Sequence, residues 1–158
     1  MTTQSSTIKI QELWRLLRRV GHLTLNVRNN ELSRYGISTA EAGVLALVHN
    51  LNGKATPAEI SRQILRKAHT ISGLVAGLHR KGLVHKVNDA ERKNIVRVSL
   101  TEKGEEIYCH VRKMDSILRM LDILSEAEQD QLMASLNKLR NRAIEVLAET
   151  AKSPFKHR

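Results

Sequence analysis

Apolar residues recur every three or four positions along most of this chain, and one short region breaks that rhythm. Between Ile8 and Tyr35 the residues Ile10, Leu13, Leu17, Val20 and Val27 keep to a single helical stripe, which predicts a rod of roughly 40 Å at 1.5 Å per residue. Met1 to Thr7 are polar and aperiodic and read as a loose leader. A helix of that length exposes apolar surface unless something lies alongside it, and a second copy of the chain would serve. Ser38-Thr-Ala-Glu41 has capping-box spacing before Val44, Leu47, Val48 and Leu51, so a short helix should start there and stop near Asn52-Gly53. Thr56-Pro57-Ala58-Glu59 repeats the device with proline at the first helical position, predicting a second short helix over about Pro57 to Ile64. Ile71, Leu74, Val75 and Leu78 mark the buried face of a third, which ends at Lys81-Gly82. Two short helices joined by a tight turn have the outline of a helix-turn-helix.

The rhythm changes after Gly82. Leu83 to Val87 and Ile95 to Leu100 are short β-branched runs, and in the second Val96, Val98 and Leu100 alternate with Ile95, Arg97 and Ser99, the period of a half-buried strand. Two strands alone are marginal, so they must lean on the helices before them. The loop between them, Asn88 to Asn94, is polar at every position but Ala90 and must project into solvent. Directly after a helix-turn-helix, such a loop is a wing, suited to touching phosphates or a minor groove beside the inserted helix. Helical spacing then returns. Thr101 can cap a helix carrying Ile107, Val111, Met114, Leu118 and Leu121 in one continuous stripe, and Ser125-Glu-Ala-Glu128 can cap another carrying Leu132, Leu136, Leu139, Ala143 and Val146. Ser153-Pro154 ends the regular structure. The fold class is mainly α with a small β-hairpin wing, a winged helix-turn-helix plus long helices.

Composition narrows the function. At 158 residues the chain suits one domain, and with aromatics at 3% its core must be aliphatic. The formal net charge of +10 favours phosphate polymers or anionic membranes as partners. No apolar run approaches the roughly 18 residues needed to span a membrane and no signal peptide opens the chain, so the expectation is a cytoplasmic protein with no membrane role. Cys109, the one cysteine, excludes an internal disulfide and reads as a small core residue. A P-loop, a dinucleotide glycine fingerprint, a His-Glu-x-x-His and a serine elbow are all missing, so no enzyme is indicated. Seven histidines match no compact metal site; neither a metal nor another cofactor is expected. A metal- or redox-responsive regulator stays as a minor alternative. So does a winged helix for RNA or a protein partner, although Trp14, Tyr35, Tyr108 and Phe155 lie outside the face where RNA bases would stack.

The segment ISRQILRKAHTISGLVAGLHRKGLVHKVNDAERKNIVRVSLTEKG, Ile60 to Gly104, resembles the winged-helix core of the MarR (multiple antibiotic resistance regulator) family of transcription regulators. The end of the third helix, Leu78-His-Arg-Lys-Gly82-Leu-Val, and the junction Leu100-Thr-Glu-Lys-Gly104 are similar to the family's pattern, and the long flanking helices match in order and length. The resemblance implies a single domain over residues 1–158, with a helical dimerisation region at 8–35 and 101–150 and a winged helix-turn-helix at 38–100. It implies a homodimer on double-stranded DNA with an inverted-repeat operator, a repressor released by a small aromatic or phenolic effector. Its effector site is left unassigned. The wing departs from the family: the usual Asp-x-Arg pair sits about one residue closer to the Leu-Thr. Either the loop is one residue longer or Asp89 and Arg92 replace the pair, with Arg92 at the tip and Asp89 steadying it through an ion pair.

Residues opposite the Ile71/Leu74/Val75/Leu78 stripe should face DNA, and they include Ser72, Gly73, Ala76 and Gly77. Two glycines on a helix cost roughly 1 kcal/mol each relative to alanine; close backbone approach to DNA, or crowded packing against a neighbouring helix, would explain them. His69, Thr70 and Ser72 have the donors and acceptors for base edges. Arg62, Lys67, Arg80, Arg92 and Lys93 suit phosphates. From Thr56 to Arg97 nine Lys/Arg face three acids, a net of +6 by subtraction.

Overall fold

A computed structural model describes residues 2–53, 55–89 and 95–151. In chain order these form α1 (Thr2–Leu32), a 3-10 turn (Ser33–Tyr35), α2 (Thr39–Asn50), α3 (Pro57–Ile64), α4 (Ala68–Arg80), β1 (Val84–Asn88), β2 (Val96–Leu100), α5 (Glu102–Val111), α6 (Asp115–Leu121) and α7 (Glu126–Ala151). The mainly helical winged helix expected from the sequence is the fold. Two compact units divide the chain, Met1–Ile117 and Leu118–Arg158.

The expected caps form. At α2, Ser38 Oγ accepts from the Glu41 N–H while Glu41 Oε2 accepts from the Ser38 N–H at 2.9 Å, a complete capping box. Thr56 accepts from the Glu59 N–H at 3.2 Å with Pro57 opening α3, and Thr101 accepts from the Gly104 N–H at 2.9 Å at the start of α5. Each such cap is worth about 1 kcal/mol. Helix α4 ends as its glycine requires: Gly82 has φ 70°, and the N–H groups of Gly82 and Leu83 return to His79 and Leu78 carbonyls at 2.9 and 3.0 Å, satisfying the last turn. The turn from α3 to α4 uses a costlier residue. Leu65 takes the left-handed region, φ 55°, with its side chain 70% exposed, a conformation that costs a non-glycine residue roughly 1 kcal/mol. The Ser61 hydroxyl, donating to the Arg66 carbonyl at 2.5 Å, helps hold it.

The hairpin pairs Val84 with Leu100 and Asn88 with Val96 in antiparallel register. A third segment joins it, which alternation did not reveal: Ala55 bridges to Val98, whose N–H donates to the Ala55 carbonyl at 2.8 Å. The hairpin is therefore also tied to the segment that precedes α3, through this one bridge. Leu32, Leu45, Ile60, Ile71, Val75, Leu78, Val84 and Val98 make one buried core under it, each large aliphatic side chain contributing roughly 1.5–3 kcal/mol. In the unit Leu118–Arg158, Ser125 and Glu128 form the second capping box, with Ser125 N and Oγ donating to Glu128 Oε2 at 2.8 and 2.7 Å.

Three expectations fail. Residues 2–7 are no leader, because α1 already begins at Thr2; that stretch holds no proline or glycine to stop a helix. The stripe from Ile107 to Leu121 is not one helix. It breaks between Val111 and Asp115, with Met114 at φ 52°, because α1 intervenes: Arg28 Nη2 donates to the Val111 carbonyl, and Glu31 accepts from the backbone N–H and the hydroxyl of Ser116. Those side chains satisfy groups that a continuous helix would have bonded internally. Cys109 is exposed rather than buried, since α5 turns Gly104 and Val111 inward, with Ile107 packed against the core. Among the described residues no helix is long and apolar enough to cross a membrane.

Candidate nucleic-acid interface

Helix α4 buries Ile71, Val75 and Leu78 and half-buries Leu74. At 100° per residue, His69, Gly73, Ala76 and Arg80 run along the opposite side with Ser72 beside them. His69, Ser72, Gly73 and Arg80 are exposed, and Thr70 is half-buried at the edge. Lys67 is the exposed N-cap residue of α4 and provides no side-chain cap, so the first N–H groups of the helix are open to a phosphate. Arg62 is exposed on α3. The structure thus brings Arg62, Lys67, His69, Thr70, Ser72, Gly73 and Arg80 together on the helix-turn-helix. Arg92 and Lys93 lie outside the described residues.

Asp89 follows β1 with its carboxylate only 8% exposed and pairs with Arg97 of β2. Sequence reading overlooked Arg97. The signal was available: Val87 lies opposite Arg97 in the register, so Asp89, two residues on, is its diagonal neighbour on the same face. Arg97 therefore braces the base of the wing.

The two glycines of α4 part company. A Cβ on Gly73 would meet nothing within 4 Å, whereas one on Gly77 would sit 3.4 Å from Glu41 Oε1. Gly77 therefore lies against the Glu41 side chain of α2, the packing explanation that the sequence left open for it. Among the described residues nothing crowds Gly73. Gly73→Ala is therefore expected to stabilise the isolated protein by about 1 kcal/mol while weakening duplex binding. Urea unfolding and gel-shift titration on the same variant would check the opposed signs.

Glu41 is buried and central to how α4 is seated. Its Oε1 accepts from Lys81 Nζ at 2.7 Å, and the same ammonium donates to the Gly36 carbonyl at 2.8 Å. In the same turn, two residues before Glu41, the N–H and hydroxyl of Thr39 donate to Asn29 Oδ1 of α1 at 2.9 and 2.7 Å. Burial pushes the Glu41 carboxyl upward, but the bonds from Lys81 and Ser38 outweigh it and hold it below its ordinary value. Glu31 behaves likewise, with burial offset by Ser116 and Arg28. Depressed folded-state values mean that this stabilisation is complete above the ordinary glutamate value of 4.5 and is lost as pH falls through the lowered values. The urea midpoint should be flat from about pH 7 to 5 and fall below it, and Glu41→Gln should lower the midpoint at pH 7 and flatten the acid limb.

A cavity of about 510 Å³ opens beside this scaffold, lined from α1, α2 and α5 by Leu25, Arg28, Ala42, Ala46 and Tyr108, with Met114 beyond α5. Its surface is mostly apolar. Arg28 is 6% exposed, and its Nη1 lies 2.6 Å from Glu31 Oε2 without hydrogen-bond alignment. The cavity offers a small apolar molecule a floor with cationic groups, Arg28 and Arg112, at its wall.

Residues 35–93 match the model of the MarR family. Curated protein sequences offer no match. Among solved structures, the organohalide-sensing transcriptional regulator RdhR, in its 2,4-dichlorophenol-bound form, is 26% identical, with a TM-score of 0.81 over 94% of this chain and 90% of that one. A mutant MarR from E. coli complexed with operator DNA is 24% identical, with a TM-score of 0.75 over 83% of this chain and 95% of that one. The S. aureus MepR–DNA complex is 23% identical, with a TM-score of 0.71 over 81% and 94%; the last two likenesses concern the fold. With the MarR family's model on residues 35–93 and the fold of a MarR-type regulator over nearly all its length, this chain carries a MarR-like winged helix-turn-helix and is similar in fold to that family's transcription regulators.

Proposed function

We propose that the chain acts as a cytoplasmic homodimer that reads an inverted repeat in double-stranded DNA, represses by occupying that site and is released by a small aromatic or phenolic effector. The carrying observation is the line His69, Gly73 and Arg80 exposed on α4, with half-buried Ala76 between them, flanked by Arg62 and Lys67. Cations there suit phosphates, while His69, Thr70 and Ser72 suit base edges. The DNA held by MarR of E. coli and by MepR, proteins of the same fold, supports the reading.

Apolar stripes support the dimer. On α1, Ile10, Leu13, Trp14 and Leu17 are 45–65% exposed, and on α7 Leu132, Leu136, Leu139 and Val146 are 40–56% exposed. Soluble monomers rarely leave such continuous apolar surface bare. Two copies would set two α4 helices about one turn of DNA apart and so favour a palindrome. The cavity under α1 and α2 supports an effector, and RdhR, the similar regulator, holds 2,4-dichlorophenol.

Gel shifts of genomic fragments test the core of this reading: one duplex class should be preferred, and equal affinity for single-stranded RNA would overturn it. Arg92→Ala should weaken all sequences alike and reduce the salt slope by about one unit, whereas His69→Ala or Ser72→Ala should cost about 1–3 kcal/mol chiefly at one base pair. An unaltered salt slope removes Arg92 from the contacts.

A further inference from the structure

Lys81 stands beside exposed Arg80 at the end of α4, where any cation would be counted as a phosphate ligand, yet its ammonium is engaged by the chain's own acceptors. It bridges the Gly36 carbonyl and Glu41 Oε1 at 2.8 and 2.7 Å. Gly77, one turn before Lys81 on the same side of α4, faces the same carboxylate: a Cβ there would stand in van der Waals contact with Oε1 at 3.4 Å. Glu41 is also the residue that closes the capping box of α2 on Ser38. Two residues before Glu41 in that turn, Thr39 is gripped by Asn29 of α1 through two hydrogen bonds of 2.9 and 2.7 Å. Helix α1 and the far end of α4 are therefore joined through the first turn of α2 by a chain of side-chain bonds. That same α2 lines the cavity with Ala42 and Ala46, one residue and five residues past Glu41.

We propose that Asn29, Glu41 and Lys81 are positioning residues that set the angle of α4 against α1, and that through α1 they set the spacing of the two reading helices in the dimer. The second half of this statement rests on the dimeric DNA-binding reading above; the first half does not. A phosphate ligand and a positioning lysine differ in what their loss does. Removing a phosphate ligand lowers the number of released counterions and weakens every duplex alike. Removing a positioning lysine leaves the count of phosphate contacts alone and loosens the preference for one half-site spacing. The buried carboxylate makes the joint two-sided: once Lys81 is gone, Glu41 is left without its cationic partner.

The experiment uses Lys81→Met, Lys81→Arg, Glu41→Gln and Asn29→Ala in the full chain, titrated against duplexes whose half-site spacing changes one base pair at a time. Lys81→Met should lower affinity for the best spacing by roughly tenfold, the scale of typical coupling between sites, flatten the spacing preference and keep the salt slope. Lys81→Arg should recover the spacing preference. A slope lower by about one unit with the spacing preference intact would make Lys81 a phosphate ligand and overturn the proposal. A DNA-free measurement decides the joint by itself. Nitroxide labels at Arg18→Cys on α1 and Ser72→Cys on α4, in a Cys109→Ser background diluted with unlabelled chain, should give a distance distribution that broadens when Lys81→Met or Asn29→Ala is added. An unchanged distribution overturns the joint. Failure of the wild type to bind any duplex would instead sink the DNA reading and leave the joint to the distances.

Discussion

Gly104→Ala is expected to destabilise the chain by about 3 kcal/mol, the upper end for overpacking a filled site. A Cβ at this position would lie 2.1 Å from the Leu83 carbonyl oxygen and 3.4 Å from the Leu100 Cβ. Backbone cannot rotate out of the way as a side chain can. That same carbonyl accepts from the Thr101 N–H at 3.1 Å, and Thr101 donates its hydroxyl to the Gly82 carbonyl at 2.7 Å. Moving α5 away therefore breaks the seam where helix α4, the hairpin and α5 meet. Urea unfolding should show a large fall in midpoint with an unchanged slope, in contrast to the rise expected for Gly73→Ala. A midpoint within experimental error of wild type would mean that α5 is not seated on Leu83 as described.

The double variant Leu17→Gln/Leu136→Gln is expected to lower operator affinity by roughly a hundredfold or more, since coupling two binding modules is commonly worth 10²–10⁴-fold. Both residues are 45% exposed in the single chain, on the stripes of α1 and α7, so their replacement removes little from the core of one copy. Glutamine keeps the net charge and so leaves the electrostatic share of DNA binding alone. Sedimentation should report a shift from two copies toward one over the micromolar range, while thermal unfolding followed on the winged-helix core changes less. If sedimentation and affinity both stay at wild-type values, these stripes are not the surface through which copies associate.

Local signals foretold most of the architecture. Ser38, Thr56, Thr101 and Ser125 each announce a helix start three residues ahead of the group they bond, and Gly82 announces an end, because a cap is complete within a few residues of chain. Helix periods likewise follow from side chains on one element. What stayed hidden depends on partners far away in sequence. The break after Val111 is made by Arg28 and Glu31, more than 80 residues earlier, and the pairing of Ala55 with Val98 crosses the whole helix-turn-helix. The site divides in the same way. Helical phase alone gathers His69, Gly73 and Arg80 on one side of α4, while the engagement of Lys81 with Glu41 spans 40 residues, and composition counts it as one more surface cation.

Cys109 emerges on the outer side of α5 between two aromatic neighbours: Tyr108 stacks on His49 of α2 at 4.1 Å between ring centroids, and His110 stacks on Tyr35 at 4.9 Å. The chain thus comes with one native attachment point for a thiol-reactive fluorophore, adjacent to the two ring contacts that tie α5 to its surroundings. A dye placed there would follow any loosening of those contacts in real time, with no engineered cysteine and no second label to subtract.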